Sequence, residues 1–96
     1  MADAEVEVRN PSGLHARPAA TFVRTAGGFA AEVRVTNLTR DADTSASAKS
    51  VLGVMGLGVS RGHRIRITAE GDDAEAAVRT LLDLVSAGIG EELDAG

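Results

Sequence analysis

Three stretches of this chain alternate polar with apolar residues, two others repeat apolar residues every third or fourth position, and the two kinds are interleaved. Glu5-Val6-Glu7-Val8-Arg9, Glu32-Val33-Arg34-Val35-Thr36 and the run from His63 to Thr68 carry the two-residue period of a strand with one buried side. In the last of these, Ile65 and Ile67 share one side while Arg64 and Arg66 share the other. Ala19, Phe22, Val23 and Ala26 fall at i, i+3, i+4 and i+7, which makes one apolar stripe along a helix. Ala74, Ala77, Val78, Leu81 and Val85 do the same near the far end. Ser45-Ala46-Ser47-Ala48 reads as a further short strand, and Val51 to Leu57 as a short helix with Ser50 at its N-cap. The order is strand, helix, strand, strand, short helix, strand, helix. Strands with one apolar side need a cover on that side alone. The expected fold is therefore α+β, an open-faced two-layer sandwich with a four-stranded antiparallel sheet covered on one face by three helices.

Turn-forming residues punctuate these elements. Asn10-Pro11-Ser12-Gly13 should end the first strand, and Gly27-Gly28 the first long helix. Pro18 is compatible with that helix if it begins near Ala16, because the first four amides of a helix lack intrahelical acceptors anyway. Asn37 to Thr44 reads as a loop, and Gly56, Gly58 and Gly62 mark a turn region. Asp72-Asp73-Ala74-Glu75 has the D-x-x-E spacing of a capping box. The acidic stretch from Gly90 to Gly96 is expected to fray.

The chain has 96 residues, and a single domain over 1–96 with its core over about 4–89 is expected. Phe22 and Phe29 are the only aromatics, so the core must rest on Val, Leu, Ile and Ala. The net charge is −4 with no basic block, which argues against nucleic acid as a partner. Without cysteine there is no disulfide framework, thiolate chemistry or cysteine-bound zinc. No stretch approaches the ~20 apolar residues of a membrane span, so no direct membrane insertion is expected. The first residues lack a basic segment followed by an apolar run, and a cytoplasmic protein is the expectation. No cofactor is implied. Gly53 to Gly58 lacks the Gly-Lys-Ser/Thr ending of a nucleotide loop, and no histidine spacing suggests a metal. Asn37-Leu38-Thr39 matches a glycosylation pattern but reads as coincidence.

Two histidines remain. His63, beside Gly62 at the start of a strand, has no partner visible in the sequence. His15 sits between a turn and a helix start, where free amides and the helix dipole favour an anion. Arg17, two residues on, carries a donor fork suited to phosphate oxygens. From spacing alone two readings stay open: a phosphoryl-accepting imidazole with its cradle and counter-charge, or a histidine that caps a helix beside a solvated arginine.

Gly13-Leu14-His15-Ala16-Arg17-Pro18-Ala19-Ala20 resembles the signature of the HPr family, the phosphocarriers of the bacterial sugar phosphotransferase system. Ser45-Ala46-Ser47-Ala48-Lys49-Ser50, followed by an apolar short helix and a Leu-Gly turn, resembles that family's regulatory serine region. The resemblance runs from about Ala4 to Ile89. It implies a phosphoryl carrier rather than an enzyme, with the group taken on Nδ1 of His15 from enzyme I, ultimately from phosphoenolpyruvate. The acceptors it implies are IIA domains of sugar permeases. Arg17 would stabilise the phosphoryl group, and the amides of Ala16 and Arg17 would complete its cradle. Ala20, Val51, Leu52 and Met55 would form the apolar docking surface of a carrier expected to be monomeric. Ser50 would be a candidate for phosphorylation by HPr kinase/phosphorylase. Ser12 departs from the Asn common in the family, and the loop from Asn37 to Thr44 looks longer than usual. That loop also occurs in HPr-like domains serving dihydroxyacetone kinase, an alternative acceptor branch. A regulatory binding module acting through Ser50 is the reading from another class, and the retained pair His15 and Arg17 speaks against it.

Overall fold

In the computed structural model, which describes residues 1–91, the inward phase of the alternating stretches sets the sheet. Ala2, Ala4 and Val6 of β1 (Ala2–Glu7) lie opposite Ala69, Ile67 and Ile65 of β4 (Arg64–Glu70). Val33, Val35 and Asn37 of β2 (Glu32–Asn37) meet the same three residues from the other side. β3 (Ser45–Ser47) pairs with β2, placing Ala46 opposite Val35. All three pairings are antiparallel, in the order β1-β4-β2-β3. Each inward row is thereby continuous across β1, β4 and β2, and the Val35 row extends to β3.

Three helices cover that face. α1 (Ala16–Gly27) buries Ala19, Phe22 and Ala26, α2 (Val51–Gly56) buries Val54, and α3 (Ala74–Ser86) buries Ala77, Val78, Leu81 and Val85. Phe22 is the largest fully buried side chain, inside a core otherwise made of Val, Ile, Leu and Ala. The opposite face is polar. Glu5 bridges Arg66 at 2.9 Å and Arg64 at 3.4 Å, and Arg34 donates through Nε to Ser45 Oγ at 2.9 Å.

Two expectations need correction. β1 starts at Ala2 and ends at Glu7, not Glu5 to Arg9, because Ala2 and Ala4 continue the inward phase of Val6. The capping box at Asp72 and Glu75 does not form. Asp73 is the N-cap of α3 without a side-chain cap bond, and its carboxylate instead accepts from the amides of Ala30 at 2.8 Å and Ala31 at 2.7 Å. It ties the α1–β2 connection to the α3 start. Of the acidic stretch from Gly90 onward, Glu91 accepts hydrogen bonds from Asn10 and Ser12 of the loop before α1. The remainder of that stretch, 92–96, lies outside the described residues.

Candidate functional site

The loop between β1 and α1 is pinned at several points. The Gly13 amide donates to the Asn10 carbonyl at 3.2 Å, and buried Asn10 returns Nδ2 to the Gly13 carbonyl at 2.9 Å. The Leu14 amide donates to the Val59 carbonyl at 3.0 Å, while the Leu14 side chain is fully buried. Gly13 has φ +59, and a Cβ there would overlap Val59 O, so this position suits only glycine. A loop held this way leaves His15 at its exposed end.

His15 is the N-cap residue of α1 by position, with φ −119 and ψ 152, but its side chain makes no cap hydrogen bond. Of the two readings left open by spacing, the capping histidine is therefore not the one observed. The imidazole stands exposed beside the helix start. Ala16 has φ +50, a left-handed conformation costing an L-residue roughly 1–2 kcal/mol. Leu14 on one side and buried Pro18 on the other hold it there. Pro18, third in the helix, has no amide to lose. The amides of Ala16 and Arg17 precede the first intrahelical bonds, so they stand as donors at the positive end of α1. Arg17 is exposed, and a depression of about 390 Å³ opens beside it, lined by Ser12, Ala16, Arg17, Pro18, Ile89 and Glu91.

Glu91 closes one side of that depression. It accepts from Asn10 Nδ2 at 2.9 Å, from the Ser12 amide at 3.0 Å and from Ser12 Oγ at 2.8 Å. The bond from Asn10, then those from Ser12, hold its carboxyl below the usual carboxylate range, and the positive charge of Arg17 pushes the same way. The Ser12 hydroxyl is thus engaged by the far end of the chain. Sequence reading passed over Glu91 because nothing in an acidic stretch singles out one carboxylate. Asn10 was read only as a turn former. Its 0% exposure is a tertiary property.

The other residues singled out from sequence lie on neighbouring helices, since α1 and α2 pack together. Ala20 is half-buried on α1. Val51 and Leu52 of α2 are exposed, Leu52 at 84%, and Met55 is half-buried. Ser50 is the N-cap of α2, its Oγ accepting from the Gly53 amide at 3.0 Å. His63 is not part of the exposed group around His15. It is half-buried in the turn before β4. Among the described residues no three His, Asp or Glu side chains gather closely enough to hold a metal ion, and no helix is long and apolar enough to cross a membrane.

Over residues 2–87 the chain matches the family described as PTS HPr component phosphorylation site. It is 47% identical over 88 residues to a multiphosphoryl transfer protein of Salmonella typhimurium, covering 92% of this chain but 23% of that protein. The chain thus spans about a quarter of the length of such relatives. A phosphocarrier protein HPr of Haloferax volcanii is 48% identical over 81 residues, covering 84% of this chain and 89% of that one. Among solved structures, HPr-C-His from Thermoanaerobacter tengcongensis superposes with a TM-score of 0.88 at 44% identity, covering 97% of this chain and all of that one.

Proposed function

Since this chain belongs to the HPr family of phosphotransferase-system phosphocarriers, we propose that it accepts a phosphoryl group on Nδ1 of His15 and passes it to another protein. The observation that carries this reading is an exposed imidazole, free of any cap bond, at the start of α1 with Arg17 two residues on. The donor is enzyme I, loaded from phosphoenolpyruvate. The Nδ1 lone pair of His15 attacks phosphorus, the bond from phosphorus to the donor nitrogen breaks, and its electron pair stays on the donor imidazole. Charge spread over the three equatorial oxygens needs positioned donors more than covalent help. Arg17 supplies a bidentate fork, and the amides of Ala16 and Arg17 supply the helix-terminus cradle. The second transfer runs the same way in reverse, onto a histidine of a IIA domain. The setting is the cytoplasm.

Docking falls to Ala20, Val51, Leu52 and Met55, a small apolar surface suited to partners that bind and leave quickly. Phosphorylation of Ser50 by a kinase would add about −1.5 to −2 charges beside that surface. It would disfavour acidic partners while sitting well at the positive start of α2.

The test is uptake of phosphoryl from phosphoenolpyruvate and purified enzyme I, read as intact mass, with His15→Ala alongside. Gain of one acid-labile phosphoryl group by the parent alone supports the reading. Equal gain by the variant would place the acceptor elsewhere, and no gain with any enzyme I tried would overturn carrier function in favour of a regulatory module acting through Ser50.

A further inference from the structure

The second histidine braces the floor under the first. His63 Nδ1 accepts two hydrogen bonds, from the Ser60 amide at 3.1 Å and from Asn37 Nδ2 at 3.0 Å. Two N–H donors converging on one ring nitrogen require that nitrogen to carry no proton, which puts the ring proton on Nε2. The orientation of Asn37 is itself determined. Its Nδ2 also reaches the Leu57 carbonyl at 3.1 Å, and its Oδ1 accepts from the amides of Thr39 and Arg40, each at 3.2 Å. Turning the amide over would set oxygen against oxygen and nitrogen against two amides. The backbone of His63 extends the frame, its carbonyl accepting from the Val8 amide at 2.8 Å and its amide donating to the Ser60 carbonyl at 3.0 Å.

This frame holds the turn that seats the acceptor loop. Val59 precedes Ser60, and the Val59 carbonyl both receives the Leu14 amide and fills the space a Cβ on Gly13 would need. Gly13 and Leu14 lead directly into His15. A path of direct contacts therefore runs from Asn37 at the end of β2, through the His63 ring and the Ser60 amide, to Val59, Leu14 and His15. The same path accounts for Asn37-Leu38-Thr39, since Asn37 is 1% exposed and both ends of its amide are engaged.

We infer that His63, with Nδ1 unprotonated, is a positioning residue for phosphoryl acceptance at His15, acting through the Val59–Ser60 turn. The inference rests on the carrier function for its chemical consequence. In-line transfer is sensitive to displacement, and a shift of about 1 Å in a reacting group can cost on the order of a hundredfold in rate. Losing the acceptor at position 63 frees the Ser60 amide and loosens the seat of Leu14.

Two variants and one native measurement test it. In His63→Asn, Oδ1 takes the place of Nδ1 as acceptor, while His63→Leu offers none. The ring nitrogen shifts of His63 in the unaltered protein are expected to identify an unprotonated Nδ1. In His63→Leu, exchange of the Leu14 amide should speed up at least about tenfold more than that of Ile67 in β4, and kcat for uptake from phosphorylated enzyme I should fall about tenfold with KM within about twofold. His63→Asn should recover most of both losses. A proton on Nδ1, unchanged Leu14 exchange with unchanged kcat, equal loosening of Leu14 and Ile67, or an Asn variant no better than Leu would each overturn the inference. If the unaltered protein takes up no phosphoryl group, the carrier reading fails, while the ring tautomer and the Leu14 exchange still decide whether His63 sets the loop.

Discussion

Hydrogen bonds across long sequence separations decide what single residues do in this protein. Glu91 and Asn10 stand 81 positions apart, yet the Glu91 carboxylate gathers Asn10 Nδ2, the Ser12 amide and the Ser12 hydroxyl into one cluster. That cluster has a pH signature. The folded-state pKa of Glu91 is held below its ordinary value, mainly by the bond from Asn10 and then by Ser12. The stabilisation is therefore present in full above the ordinary carboxylate pKa of about 4 and is lost as pH falls through the folded-state value. Urea unfolding of the parent and of Glu91→Gln from about pH 6 down to about pH 3 should show the parent's advantage shrinking with acid. A gap that stays constant would mean that charge on Glu91 contributes nothing. His15 makes the opposite point at this scale, because its local surroundings were legible in the chain. A turn, a proline tolerated near a helix start and an arginine two residues on all lie within eight positions.

At the scale of elements, α2 is the instructive one. Six residues are too few to hold a helix in water without help. It depends on Val54 in the core and on the Ser50 hydroxyl at its start. Ser50→Ala should cost about 1 kcal/mol of stability by urea unfolding, the usual loss of a capping hydroxyl. Leu52→Ala should leave stability within about 0.5 kcal/mol, since the side chain is 84% exposed. If α2 is the docking surface, the same change should raise KM for phosphoryl uptake from enzyme I while leaving kcat near the parent value. An unchanged KM would place docking elsewhere. The existence of α2, its cap and the short strand before it were readable from composition and spacing. The start of α3 differs from the D-x-x-E reading because the helix begins one residue later than that spacing places it: Asp73, not Asp72, is the N-cap, and its carboxylate is taken by the backbone amides of Ala30 and Ala31.

For the whole molecule the scarcity of aromatics sets the vulnerability. Phe22 is fully buried and Phe29 only partly so, which leaves one aromatic ring inside the shared core of sheet and helices. Phe22→Ala should cost about 3–5 kcal/mol. Native domains have only about 5–15 kcal/mol in total, so the variant should lose a large share of its stability and show a clearly lower urea midpoint. A urea midpoint near that of the parent would show that Ala, Val and Leu side chains around the site can collapse into the space.

The sequence by itself determined the seven elements of the described residues and their order, which side of each strand faces inward, and the family. All of these follow from periods of two and 3.6 residues, from turn-forming residues and from one eight-residue motif, and each is local along the chain. Tertiary structure alone decided that Asp73 serves a loop instead of its own helix, that Glu91 belongs beside Ser12, and that His63 Nδ1 meets Ser60 and Asn37. Those bonds join polar groups whose partners are chosen only when distant backbone segments are brought within about 3 Å of one another, and no periodicity along the chain encodes that approach.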